Sequence, residues 1–215
     1  MVPAAPALVE IDRDQEYREA LLNSDLALTD SGFMVLVWSL LKFEKIRRLS
    51  GLEYLKALIA EPIFREPGTT LWVMPSGKSR DKAIPWLRSR GLPVSEKDFY
   101  IAPIYEHATV SDPALVDRIH RERPLHIILA LAGGLQEKLG RSIQQNTKFN
   151  PGIHCIGAAI GFLSGDQVNI PDWADHLFLG WLFRCLSQPS KFIPRYMKAA
   201  RLLPMMIKYR ENLPR

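Results

Sequence analysis

The chain has 215 residues and a mass of 24.5 kDa; 47% of it is hydrophobic, 24% is charged, and it holds two cysteines. That mixture excludes disordered, collagenous and disulfide-scaffold classes, and the length suggests one domain with an appendage. The net charge of +5 is uneven: residues 191–215 carry seven basic side chains against the single acid Glu211, while the other 190 residues hold 21 basic and 22 acidic ones. The surplus therefore belongs to the tail, and no nucleic-acid partner is expected.

The apolar runs at 33–41 and 127–132 fall well short of the roughly 20 residues that span a bilayer. Residues 1–14 lack the basic start and apolar centre of a signal peptide. The expected location is cytoplasmic, and for reasons given below peripheral on the inner face of the plasma membrane.

Taken in chain order, short apolar runs at 26–29, 70–74, 99–104, 127–131 and 155–159 read as buried parallel strands, alternating with helix-like segments. The expected class is α/β, a Rossmann-like and mostly parallel sheet with helices on both faces, plus a basic helical C-terminal appendage. Residues 33–43 are apolar on nearly every side and predict a helix buried under the sheet. Asp112-Pro113 reads as an N-cap followed by proline at the first helical position, and Pro171-Asp172 repeats the idea. Residues 1–185 are read as the core and 186–215 as the appendage. In the appendage Pro189, Pro194 and Pro204 interrupt helical periodicity. Lys191, Arg195 and Lys198 share a face, and Phe192, Ile193, Tyr196, Met197, Leu202 and Leu203 supply apolar area. Such a segment suits an anionic membrane surface; the alternative is docking onto its own domain or a second subunit.

Several motifs fail on spacing. Pro75-Ser-Gly-Lys-Ser79 would need a glycine at position 72 to be a P-loop, and that residue is Trp72. A Gly/Ser turn after a strand can still offer backbone N–H groups to a phosphate. Gly157-Ala-Ala-Ile-Gly161 lacks the first half of a dinucleotide fingerprint, which argues against a nucleotide-binding oxidoreductase. The five histidines show no zinc-ligand spacing, and Gly161-Phe-Leu-Ser-Gly165 places its serine one position late for a nucleophile elbow. Other polar groups fall where α/β folds keep their chemistry, after strands. Asp30 precedes Ser31-Gly32, either as a crevice carboxylate or as an N-cap. Arg47, Arg48, Ser50, Gly51 and Glu53 lead into the next helix, with a capping residue and an acid in its first turn. Gly133 and Gly134 are followed at once by Gln136 and Glu137, which either face a ligand or form a solvated first turn.

In this order, the residues resemble the WecG/TagA/CpsF family of bacterial glycosyltransferases (glycosyltransferase family 26), from about Leu8 to Tyr196. The stretch from Arg13 to Asp30 looks like the family's helix followed by a strand ending in "DLVLPDG". Arg48-Leu-Ser-Gly51-Leu-Glu53 is similar to "R-x-T-G-x-D", and Gln136-Glu137 to the end of "G-x-P-K-Q-E". Phe162-Leu-Ser-Gly165, Pro171-Asp-Trp173, Trp181-Leu-Phe-Arg184 and Gln188-Pro189 follow the later motifs. Ala132-Gly133-Gly134-Leu135 stands in place of the small-Pro-Lys motif, and Gly161 and Gly180 replace an aspartate and a glutamate.

The resemblance implies transfer of a sugar from a UDP-sugar to a polyprenyl-diphosphate-linked acceptor, in cell-envelope or exopolysaccharide synthesis, with inversion. By position, Asp30 matches the general base. Gln136 and Glu137 match the donor-side motif, with Arg48, Ser50, Gly51, Glu53, Gly133 and Gly134 beside them as substrate-binding positions. Arg184 and Arg195 match appendage positions suited to a departing diphosphate. No cofactor or metal is expected beyond the UDP-sugar as co-substrate. The alternative is a non-catalytic relative that scaffolds or regulates a membrane glycan-assembly complex. Self-association stays open.

Overall fold

A computed structural model of the chain describes residues 1–105, 110–167 and 180–212. In chain order its elements are α1 (Ala5–Leu8), α2 (Gln15–Leu22), α3 (Gly32–Lys42) and α4 (Gly51–Leu58), then β1 (Thr70–Met74), α5 (Gly77–Ser89) and β2 (Phe99–Ile101). They continue with α6 (Pro113–Glu122), β3 (His126–Leu129), α7 (Leu135–Asn146), β4 (Gly152–Cys155) and α8 (Ala159–Leu163), and end with α9 (Gly180–Ser187), α10 (Pro189–Ala199) and α11 (Leu202–Tyr209). The chain divides into two compact units, one of Met1 with residues 51–167 and one of residues 2–50 with 168–215.

The first unit is a four-stranded sheet in the order β2-β1-β3-β4, with every pairing parallel. All five residues of β1 are buried, the mark of a strand covered on both faces. Strand alternation assigns its side chains to two cores. Trp72 and Met74 join Leu55 of α4, Leu87 of α5 and Ile160 of α8. Leu71 and Val73 join Leu115 and Ile119 of α6 and Leu139 and Ile143 of α7. This is the α/β, Rossmann-like arrangement that the alternating runs predict. Asp112 caps α6 as expected, accepting from Leu115 N at 2.9 Å with Pro113 next in the chain. The Pro171-Asp172 reading lies outside the described residues.

Three element readings need correction. Residues 26–29 form no strand: Leu49 N donates to the Thr29 carbonyl at 3.3 Å and Thr29 Oγ1 to the Arg47 carbonyl at 2.9 Å, a pairing that uses a side chain in place of a ladder. The run at 155–159 is mostly not strand, because β4 ends at Cys155 and Gly157, at φ 58°, turns the chain so that Ala159 begins α8. The helix at 33–43 forms, as α3, but belongs to the second unit. Val35 is its one buried residue, and Leu36 and Leu40 are 48% and 73% exposed, so it is not a helix buried beneath the sheet.

In the second unit the start of the chain and its C-terminal helices share a core. Ala5 and Val9 pack with Ala199, Leu202 and Met206, and Met34, Val37 and Trp38 of α3 pack against them. Glu10 pairs with Lys198 at 3.0 Å and with Arg201 at 3.9 Å, and Lys42 pairs with Glu211. Ser31 caps α3, accepting from Met34 N at 3.1 Å, and the helix ends at Phe43 with φ 56°.

Candidate active site

In the first unit β1 continues through α5 to β2 on one side, and β2 continues through α6 to β3 on the other. The strand order therefore reverses between β1 and β3, and open α/β sheets bind ligands beyond the carboxyl ends of strands at such a point. The turns there are Pro75-Ser76-Gly77 after β1 and Ala132-Gly133-Gly134 after β3. Ser76 caps α5 by accepting from Ser79 N at 3.1 Å. Ser79 Oγ donates to Asp166 at 2.7 Å, and Lys82 reaches the Gly165 carbonyl at 3.0 Å. The 164–167 turn is thereby fastened beside the start of α5, where Lys78 is exposed.

Gln136 and Glu137 are 1% and 0% exposed. Gln136 Oε1 accepts from Gly157 N at 2.8 Å, and its Nε2 donates to Glu137 Oε1 at 3.0 Å. Glu137 Oε2 accepts from Gly134 N at 2.6 Å. Two adjacent side chains thus tie the turn after β3 to the turn after β4. The Gly134 turn needs glycine, since its φ of 90° is a region that side chains rarely adopt. Burial pushes the Glu137 carboxyl up, opposed by the bonds from Gln136 and Gly134. Burial also pushes up the Cys155 thiol, which donates to the Gln136 carbonyl at 3.4 Å. Gln136 and Glu137 are neither solvated nor open to a ligand in this arrangement; they shape the backbone that a ligand would meet.

The other residues singled out in the sequence divide between the units. Gly51 and Glu53 open α4 in the first unit, and Gly133 lies in the turn after β3. Asp30, Arg48 and Ser50 belong to the second, as do Arg184 and Arg195. Asp30 is half-buried, and its carbonyl accepts from Arg48 Nε at 2.9 Å. The carboxylate is not the N-cap of α3, a part taken by Ser31. Ser50 is fully buried directly before α4. Arg184 of α9 reaches Tyr196 Oη at 3.4 Å, and Tyr196 meets Trp181 edge-on at 6.3 Å between ring centres. Desolvation and, second, the Arg184 charge lower the affinity of the Arg195 guanidinium for its proton. Arg195 itself is exposed on α10.

A family model described as glycosyl transferase WecG/TagA/CpsF family matches residues 1–215. The chain belongs to this family. It is accordingly a glycosyltransferase of cell-envelope glycan synthesis. No curated protein matches it. No helix among the described residues is long and apolar enough to cross a membrane.

Two polar clusters of this glycosyltransferase escape sequence reasoning. Asp112, 5% exposed, accepts from Tyr100 Oη at 2.9 Å and Tyr105 Oη at 2.6 Å, gathering the chain beyond β2. Burial, then Asp112, raises Tyr100 to about 12. At the other end of the sheet Tyr54 Oη lies 2.7 Å from His154 Nδ1, and His154 Nε2 lies 3.0 Å from His126 Nδ1. Phe64 stacks on His126 with ring centres 4.6 Å apart. Burial and the neighbouring His126 lower His154 to about 4. The available signal was position: His126 directly precedes an apolar strand run and His154 directly precedes Cys155, so both sit on strands. These two histidines are half-buried and bonded to each other.

Proposed function

We propose that the protein transfers a sugar from a UDP-sugar to a polyprenyl-diphosphate-linked acceptor, with inversion, while bound peripherally to the inner face of the plasma membrane. The observation that carries this reading is the glycine-built rim at the β1/β3 reversal, with Gln136 and Glu137 spent on holding it. Backbone N–H groups in such turns suit a nucleotide diphosphate. The buried pair then acts as positioning residues, setting the Gly134 and Gly157 backbone at the donor's edge. Arg48, Ser50, Gly51, Glu53 and Gly133 are carried as substrate-binding positions on their match to the family's motifs.

Asp30 is the general base of this reading. Its carboxylate takes the proton from the acceptor hydroxyl as that oxygen bonds to the anomeric carbon; the bond from that carbon to the UDP oxygen breaks, and UDP leaves with the electron pair. Arg184 and Arg195 supply positive charge to the departing diphosphate, a task that suits the planar guanidinium fork. No metal or other cofactor is assigned a step. The basic and apolar faces of α10 and α11 support the membrane part of the reading.

The test is UDP release with a panel of UDP-sugars and lipid-diphosphate acceptors. A positioned base commonly contributes about 10²- to 10⁴-fold, so Asp30→Asn should lower kcat by that order. The Asp30 carbonyl that receives Arg48 is retained in the variant. Unchanged release in Asp30→Asn overturns the role of Asp30. UDP-sugar binding without transfer to any acceptor favours the scaffolding alternative.

A further inference from the structure

The second unit contains a cavity of about 360 Å³. Its wall is apolar almost throughout, with Met34 and Trp38 of α3 facing Met205 and Met206 of α11, and Ile46 contributed by the segment between α3 and α4. Such a wall offers a sugar or a nucleotide almost nothing to hydrogen-bond, so its natural occupant is hydrocarbon. Three methionines give it an adaptable surface, suited to a chain without fixed shape.

Two residues of the wall give this hydrocarbon a direction. Arg210 is exposed, so the cavity reaches the surface beside a cation, and that cation has no ion-pair partner among the described residues. Thr29 also lines the cavity and directly precedes Asp30. A chain lying between Met34 and Met206 thus has a guanidinium for an anionic head group, and the loop that carries the proposed base within one residue of its wall. Outside the cavity the same helices expose Leu36 and Leu40 on α3 and Leu203 and Ile207 on α11, apolar ground for the rest of a long lipid.

The geometry points to this cavity as the site for the isoprenoid chain of a phosphate-bearing lipid, gripping the acceptor by the units nearest its diphosphate. The inference rests on the acceptor reading above and adds the residues that select a lipid-linked acceptor over a soluble one. Arg210 answers the negative head group, and the Met34, Trp38 and Met206 wall excludes water from the chain.

The experiment uses the full chain and farnesyl diphosphate as probe, followed by Trp38 fluorescence with Trp38→Phe as the signal control. Farnesyl diphosphate should bind, farnesol should compete, and inorganic diphosphate at the same concentration should not displace it. Ile46→Trp, which fills the cavity, should weaken binding about tenfold, the worth of roughly two buried methylene groups. Met205→Phe is the second filling variant should Ile46→Trp fail to fold. In transfer assays Ile46→Trp should raise KM for a long-chain acceptor about tenfold while leaving KM for a short-chain, water-soluble acceptor unchanged. Equal farnesyl diphosphate affinity in wild type and both filling variants overturns the proposal, as does full displacement by inorganic diphosphate. Displacement by an acyl phospholipid as strong as that by farnesol also overturns it, the cavity then being a general lipid site. Farnesyl diphosphate binding in a wild-type protein that transfers sugar to no acceptor overturns the acceptor reading and leaves a lipid cavity. Transfer to a long-chain acceptor that Ile46→Trp leaves untouched overturns the cavity's role alone.

Discussion

Replacing Gln136 by leucine isolates the link between the turns after β3 and β4. Leucine keeps most of the side-chain volume in a position only 1% exposed, so the loss is polar and leaves little cavity. Two bonds disappear, the one accepted from Gly157 N at 2.8 Å and the one donated to Glu137 at 3.0 Å. An unsatisfied buried donor costs about 1–3 kcal/mol, and the lost bond to a carboxyl adds a similar amount, for a deficit of about 2–6 kcal/mol. The deficit depends on pH with a definite sign. Burial raises the Glu137 carboxyl while Gln136 works against that rise. A raised carboxyl contributes stability below its unfolded value and loses it as pH climbs through the folded one. Without Gln136 the ionised form loses its donor, so the deficit should widen as pH rises above the ordinary carboxyl range. Urea unfolding of both proteins across that rise measures it, and UDP-sugar affinity should fall in parallel as the Gly134 and Gly157 turns loosen. A deficit below about 0.5 kcal/mol, the size of an ordinary surface substitution, would refute the reasoning.

His154 predicts acid sensitivity from the same bookkeeping with the opposite sign. Its value is lowered from 6.5 to about 4, so the stability it supplies is complete above about pH 6.5 and lost as pH falls through about 4. It amounts to about 3 kcal/mol shared with His126, and urea unfolding of His154→Phe should be flatter over that window than that of the wild type. Gly134→Ala should cost about 1–3 kcal/mol because alanine must adopt φ 90° there; a neutral result in denaturant unfolding would mean that the turn relaxes. Ile193 and Met197 are 46% and 72% exposed on α10, so changing both to serine should reduce sedimentation with anionic vesicles while leaving the unfolding midpoint in place.

The sheet was legible because β1 and β3 are buried on both faces, which leaves continuous apolar runs of strand length at 70–74 and 127–131. The N-cap of α6 was legible because Asp-Pro carries its own local chemistry. The run at 26–29 looked identical to those strands and is not one, since an apolar run records burial but not whether ladder partners exist. The apolar stretch at 33–43 misled for a related reason: a sequence pattern cannot distinguish an interior helix from one whose apolar side chains meet solvent. Asp30 and the Gln136-Glu137 pair were singled out by their place after apolar runs and by motif order. What the pair does, bonding to two glycine turns 2 and 21 residues away from Gln136 in either direction along the chain, follows only from the meeting of β3 and β4. The strand positions of His126 and His154 were legible, but their meeting with Tyr54 was not, because the three come from different elements and share no spacing.

The cationic tail looks different once its partners are known. Lys198 and Arg201 share Glu10, and Glu211 is taken by Lys42, so part of the tail's charge is already answered within its own unit. The exposed apolar side chains gather in the same unit: among the described residues, every large exposed hydrophobic apart from Ile101, Ile104 and Leu125 lies there. Each cation near an anionic surface contributes about 1 kcal/mol and is screened within a Debye length, whereas burial of apolar area is indifferent to screening. On the proposed membrane reading, attachment through this unit should lean on apolar contact more than the +6 of the tail suggests. Sedimentation with anionic vesicles should persist in large part when ionic strength is raised several-fold, and complete release by salt would return the weight to the charges.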